Sequence, residues 1–343
     1  MPPQVAEMDL SRLAEQAGFS LDGDELDSYG VLAAGLTDSL VELEQIPAPE
    51  RAPVDAIRDA GRRPTSAEDP YNALVRVCSV RARQCEGPLV GVRVALKDAI
   101  AIAGVPLTGG SRLLERFVPT RDSVVVERLL AAGATIAATA NMDELGCSAG
   151  GDTSVHGPTR NPFDPARSAG GSSSGSAACL HYDAIDASLG CDQAGSIRVP
   201  AAWCGVLGLK PTYGLVPYTR ILGIDASLDH CGPLGRHAID VARLLAVIAG
   251  RDPSDSRHAS TMRVQDYVES VEHAPERLEG ARIGVVAESL LSVETDVREA
   301  FGDVVERFRG LGAVVRSVSL PEHRLAGPIA AGSFLEPMAA LLE

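Results

Sequence analysis

From residue 90 onward the chain alternates short apolar runs with amphipathic stretches. That alternation restricts its architecture more than any other feature. Residues 90–96 read as a strand, 123–132 as a helix and 134–139 as a second strand. Ser123 is a candidate N-cap of that helix and Gly133 its C′ residue. Residues 185–189 read as a short apolar strand, 196–205 as a helix start and 239–248 as a helix. Residues 282–287, 297–308 and 313–318 form a β-α-β unit. This order predicts an α/β sheet covered by helices on both faces. No internal repeat is visible.

The first 65 residues have a different texture. Residues 5–17 and 25–46 carry Leu, Val and Ala at helical steps, separated by the turn Asp22-Gly23-Asp24. A polar, Pro-containing stretch follows, from Pro47 to Thr65. The expected division is therefore a helical region over 1–65 and a core over 66–343. A length of 343 residues suits about two domains. Hydrophobic residues at 45% and charged ones at 22% exclude a disordered chain. With 4% aromatics, the core is expected to be built of Ala, Val, Leu and Ile.

The net charge of −15 argues against nucleic acid or an anionic membrane as the main partner. No apolar run of about 18 residues predicts a membrane span. The first residues show no secretory signal pattern. Seven scattered cysteines without a C-x-x-C pair read as free thiols of a cytoplasmic protein.

Chemistry concentrates between Lys97 and Arg198. Ser168-Ala169-Gly170-Gly171-Ser172-Ser173-Ser174-Gly175-Ser176 could be a flexible linker. Its flanks argue otherwise: Asn161-Pro162-Phe163-Asp164-Pro165 leads in and Ala177-Ala178-Cys179-Leu180 leads out. Small residues there suit a backbone that must approach something closely. A second small-residue loop, Gly190-Cys191-Asp192-Gln193-Ala194-Gly195-Ser196-Ile197-Arg198, follows.

These two segments, with Lys97-Asp98 at a strand end, resemble the amidase signature family of serine hydrolases. The resemblance covers about residues 69–330, including Asn141-Met142-Asp143-Glu144 and the 157–162 run. It implies a mixed central sheet, a catalytic Lys97, a Ser172 preceded by a cis peptide bond, and a nucleophilic Ser196. No metal or organic cofactor is implied. Residues 192–196 and 214–219 resemble most the broad-range bacterial amidases that accompany nitrile hydratases, and tRNA amidotransferase subunits less. The substrate expectation is a small-molecule amide, and the N-terminal helices are expected to support a homodimer.

The residue types fit that chemistry. A serine hydroxyl needs a base, and lysine serves only when neutral. Burial lowers an amine's pKa, and Lys97 ends an apolar strand. Asp98 follows it, but neighbours on a strand point to opposite faces. The backbone N–H groups of Gln193, Ala194 and Gly195 are expected to form an oxyanion hole. Asp192 and Ser173 are expected to support the loop. An ordinary helix-capping role is the plainer reading of Asp192. Gln193 is a candidate contact to the substrate amide, the alternative being a solvent-facing glutamine.

Ala99, Ser174 and Ala194 depart from the family pattern, where Asn, Gly and Gly are usual. The chain also stops at Glu343, before further strands that family members carry. Exposed apolar surface and an unpaired sheet edge are expected to result. A fragment, a shortened paralogue or a chain that recruits a partner all fit, and so does a shortened relative acting as a binding or assembly subunit. Gly171-Ser172-Ser173-Ser174-Gly175 also matches the G-x-S-x-G elbow of α/β-hydrolases, which would make Ser173 the nucleophile. That motif needs a preceding strand, and residues 164–168 do not read as one. His230-Cys231 lacks a second ligand pair for zinc. Lys210 reads as a surface lysine before the Pro211 bend.

Overall fold

The structure, a computed structural model, describes residues 9–46, 53–258 and 263–333. It divides into two compact units, Met1–Ala52 and Pro53–Glu343. In the first, α1 (Leu10–Gln16) precedes α2 (Gly23–Glu44). A reciprocal capping box starts α2: Asp22 accepts from the Glu25 N–H, and Glu25 accepts from the Asp22 N–H. Val31, Leu32, Leu36 and Leu40 of α2 are exposed. Residues 5–8 of the first expected helix and 47–52 of the expected linker lie outside the described residues.

The boundary expected near residue 65 falls instead between Ala52 and Pro53. The cause is β1 (Ala56–Arg62), which pairs antiparallel with β2 (Leu74–Ala82) and so belongs to the core. Pro53 and Pro64 flank that strand rather than interrupt it. Arg58 of β1, polar in appearance, forms an ion pair with the buried Asp122.

The remaining elements are β3 (Arg93–Lys97), α3 (Val124–Ala131), β4 (Thr135–Ala140), α4 (Ser174–Ala178) and β5 (Ala187–Asp192). After them come α5 (Arg198–Trp203), β6 (Leu207–Gly208), β7 (His230–Gly235), α6 (Ala238–Ile248) and α7 (Tyr267–Glu272). Last are β8 (Arg282–Val286), α8 (Thr295–Gly310) and β9 (Val314–Val318). Seven strands form a mixed sheet in the order β1-β2-β4-β3-β5-β7-β6. Strands β4, β3 and β5 are parallel at its centre, and the flanking pairs are antiparallel. The expected α/β architecture is thus present.

Alternation along β3 separates two cores. Val94 and Leu96 join Ile136, Leu189, Leu129 of α3 and Leu245 of α6 on one face. Ala95 joins Ala138, Ala177 and Ala178 of α4, and Ala201 of α5, on the other. A fully buried Leu, Ile or Val on the first face contributes about 1.5–3 kcal/mol of transfer free energy. Alanines on the second let α4 lie close to the sheet. Lys97 continues the Ala95 face, toward α4.

One local expectation changes, and one is met. Ser123 stands at the N-cap position of α3, but its hydroxyl makes no capping bond and is buried without a partner. The Ser/Gly run is itself structured, since α4 begins inside it and is wholly buried. Strands β8 and β9 form a separate parallel pair spanned by α8, as expected. Val297 and Val304 of α8 and Val314 and Val318 of β9 remain exposed. No helix among the described residues is long and apolar enough to cross a membrane.

Candidate active site

Strand β3 ends by placing Lys97 beneath α4, 1% exposed. Its Nζ lies 2.7 Å from Ser172 Oγ. No carboxylate pairs with this amine among the described residues. Burial holds the amine below the ordinary lysine value, while Cys191, Asp143, Asp192 and Cys231 oppose the shift. Asp98 turns elsewhere: its Oδ2 accepts the Thr108 N–H at 3.0 Å and the Thr108 hydroxyl. Asp98 Oδ1 has no partner, and burial pushes the carboxyl up to about 7. Adjacent in sequence, the two form no ion pair.

The Gly171–Ser172 peptide bond is cis. Asp143 builds the wall behind it, accepting from the backbone N–H groups of Gly151, Asp152 and Thr153 at 2.9–3.0 Å. A Cβ on residue 171 would sit 1.9 Å from Asp143 Oδ2 and 2.8 Å from the Gly151 nitrogen, so only glycine fits. Ser173 Oγ donates to the Cys191 carbonyl at 3.0 Å and accepts the Cys191 N–H at 3.2 Å. Its proton and its acceptor capacity are both committed, and no strand leads into it. The elbow reading of Ser173 therefore lacks both its geometry and a free hydroxyl.

Asp192, fully buried at the end of β5, organises the loop that carries Ser196. Its Oδ1 accepts the Gly195 N–H at 2.8 Å and its Oδ2 the Ile197 N–H at 3.0 Å. Arg198 adds Nε to Oδ2 at 3.0 Å and Nη2 to Oδ1 at 2.9 Å. Burial alone would raise this carboxyl, but the Arg198 contacts and backbone N–H donors hold it below its ordinary value. These bonds tie Asp192 to the residues just before α5, whose N-cap position is Ile197.

Ser196 is 8% exposed, whereas Ser172 is sealed off completely. The Ser196 Oγ has no hydrogen-bond partner among the described residues. The main chains of the two loops meet where the Ser173 N–H donates to the Ser196 carbonyl at 3.1 Å.

Two sequence expectations are corrected here. Gly195 cannot serve the expected oxyanion hole, because its N–H already goes to Asp192. The backbone N–H groups of Gln193 and Ala194 have no acceptor among the described residues. The Gln193 side chain is half-buried rather than free in solvent, and its NH₂ is taken up within the protein. Its Nε2 donates to Asp229 Oδ1 at 2.7 Å and to the Tyr218 hydroxyl at 3.3 Å, leaving a buried Oε1 unpartnered. Asp143 and Asp229 also shape the site, a role that sequence reasoning misses. Lys210 is half-buried, its Nζ bonded to the Pro211 carbonyl at 2.8 Å. Among the described residues no three His, Cys, Asp or Glu side chains group to hold a metal.

Residues 67–342 match the family model described as Amidase. The chain belongs to the amidase family. Among solved amidase-family structures, it is similar to a glutamyl-tRNA(Gln) amidotransferase subunit from Thermotoga maritima. The TM-score is 0.74 at 33% identity, covering 80% of this chain and 60% of that one. Native peptide amidase from Stenotrophomonas maltophilia gives a TM-score of 0.68 at 34% identity, over 75% of this chain and 56% of that one.

Among curated relatives, the corresponding glutamyl-tRNA(Gln) amidotransferase subunit of Anaeromyxobacter sp. (strain K) is 43% identical over 259 residues. That alignment covers 75% of this chain and 52% of the relative, so the chain spans about half the length of the curated relatives it matches. These relatives are tRNA amidotransferase subunits, whereas the sequence expectation from residues 192–196 and 214–219 is a lesser similarity to them than to the nitrile-associated amidases.

Proposed function

We propose that this amidase-family chain cleaves a carboxamide through an acyl-enzyme on Ser196. Ser196 Oγ attacks the amide carbon and its proton passes through Ser172 to the neutral Lys97 amine. The C–N bond breaks, the leaving nitrogen takes that proton back, and ammonia or an amine departs. Water then attacks the acyl-enzyme to give a carboxylate. The Gln193 and Ala194 N–H groups meet the developing oxyanion; one such donor is worth about 3 kcal/mol elsewhere. The observation that carries this reading is the buried Lys97 amine bonded to Ser172 with no acid paired to it.

The test is covalent labelling by a fluorophosphonate, together with acyl-adduct detection by intact mass after incubation with benzamide or propionamide. We expect an adduct on the wild-type chain and on Ser173→Ala, and none on Ser196→Ala. Labelling that disappears with Ser173 and persists without Ser196 overturns the assignment.

A second reading draws on the 43%-identical relatives, which are subunits of an amidotransferase. In that reading the nitrogen released at Ser196 passes to an acceptor held by a partner protein. A net charge of −15 favours putting any tRNA contact on that partner rather than on this chain. Ammonia release that requires an added partner, with glutamine as donor, would favour it over free hydrolysis. Homodimer formation through the apolar residues of α2 is proposed as well; a monomer mass in sedimentation equilibrium would refute it.

A further inference from the structure

Strands β5 and β7 pair antiparallel with Cys191 directly opposite Cys231. Opposed residues in such a ladder alternate between hydrogen-bonded and non-hydrogen-bonded pairs. Three observations fix which kind this is. The Cys191 N–H and carbonyl both bond Ser173 Oγ, so they do not point at β7. Two steps along the ladder, Leu189 opposes Pro233, which has no N–H to give. The Pro233 carbonyl faces the other way, accepting from the Leu209 N–H at 3.0 Å. Leu189–Pro233 and Cys191–Cys231 are therefore non-hydrogen-bonded pairs. In that kind of pair the Cα atoms lie about 4.5 Å apart and the side chains come closest. A disulfide accepts Cα separations of roughly 4.4–6.8 Å.

Both thiols face the same apolar core and are unpaired. The nearby Cys191 thiol, then burial, pushes the Cys231 thiol well above its usual value. Each also adjoins the active-site framework. Cys191 precedes Asp192, the carboxylate that holds the Ser196 loop, and Cys231 lies two residues after Asp229, the anchor of Gln193.

We propose that Cys191 and Cys231 are a redox modification site, a cross-strand dithiol that a peroxide-class oxidant closes into a disulfide. One thiolate attacks the peroxide O–O bond, giving a sulfenic acid and one water. The second thiol displaces the sulfenic oxygen as another water, and the S–S bond forms. Two thiols lose two hydrogens and the peroxide is reduced to water. At about 4.5 Å the Cα atoms lie at the short end of the disulfide range, so closing the bond presses the end of β5 away from β7 and shifts Asp192 against the loop it holds. A displacement of about 1 Å at such a framework costs up to about 100-fold in rate.

The test uses the whole chain. Surface thiols, Cys85 above all, are first blocked under native conditions with N-ethylmaleimide. Hydrogen peroxide is then added, and non-reducing peptide mapping follows. The expected result is a 191–231 cross-linked peptide, a loss of two hydrogens in intact mass, and reversal by dithiothreitol. Cys191→Ala and Cys231→Ala each abolish the mass change. Both thiols remaining alkylatable after denaturation, or a bond mapped to Cys179–Cys204 instead, overturns the proposal. Fluorophosphonate labelling of the oxidised chain slows at least tenfold and recovers on reduction; unchanged labelling overturns the coupling to the loop. The mass readout does not depend on the hydrolase reading, so failure of one is distinguishable from failure of the other.

Discussion

Replacing Lys97 with methionine removes amide turnover by a factor on the order of 10³ or more and leaves the chain folded. Methionine keeps the volume of the buried aliphatic stem, so the second core stays filled. What is lost is the amine bonded to Ser172. The pH dependence identifies the cause. The folded-state value of Lys97 is lowered, chiefly by burial, from 10.5. Between that lowered value and about 10.5 the unfolded chain binds the extra proton, so wild-type stability rises with pH across the window. The slope contributed by one proton is at most about 1.4 kcal/mol per pH unit. Lys97→Met lacks that slope. Turnover in the wild type likewise rises as pH climbs through the folded-state value. Urea melts of both proteins from pH 6 to 10, paired with ammonia release, check the two effects. Identical stability slopes would mean that residue 97 is not a buried titrating amine.

Asp192→Ala comes next in expected size. It orphans the buried N–H groups of Gly195 and Ile197, each costing about 1–3 kcal/mol. The Arg198 side chain is 52% exposed and returns to water, so it adds little. We expect about 2–5 kcal/mol of lost stability and at least a 100-fold drop in Ser196 labelling. Sign matters here as well. The carboxyl is held below its ordinary 3.8, so its stabilisation is present above that value and fades as pH falls through the lowered one. Wild type and Asp192→Ala therefore converge in acid. Equal melting midpoints at neutral pH would show that the loop does not need this anchor.

Much of this site is legible in the sequence because its chemistry is local. Lys97 ends an apolar run, and the serines lie in two loops of small residues. Elements with mixed signals are harder to read. Strand β7, His-Cys-Gly-Pro-Leu-Gly, defies strand propensity because Pro233 sits where no N–H is needed toward β5. Strand β1 hides behind Arg58 and Asp59, whose polarity suggests a linker; only the fold brings Asp122 to neutralise Arg58. Strand β2 alternates as a strand should, but Arg76 and Arg81 interrupt its apolar run and blur the signal. The engagement of Gly195 with Asp192 is local, three residues apart, whereas that of Gln193 with Asp229 is tertiary information. No spacing rule carries the second, since it depends on which side of a loop faces the sheet.

Ser173 has a consequence for inhibitor design. Its hydroxyl occupies the place where another strand's amide and carbonyl would otherwise meet Cys191. The serines at 172, 173 and 196 therefore differ both in how engaged their oxygens are and in whether they can be reached. One oxygen is fastened to backbone and a second tethered to an amine, both fully enclosed, while the third is at liberty and partly open. Selectivity for the third follows from those attachments as well as from access.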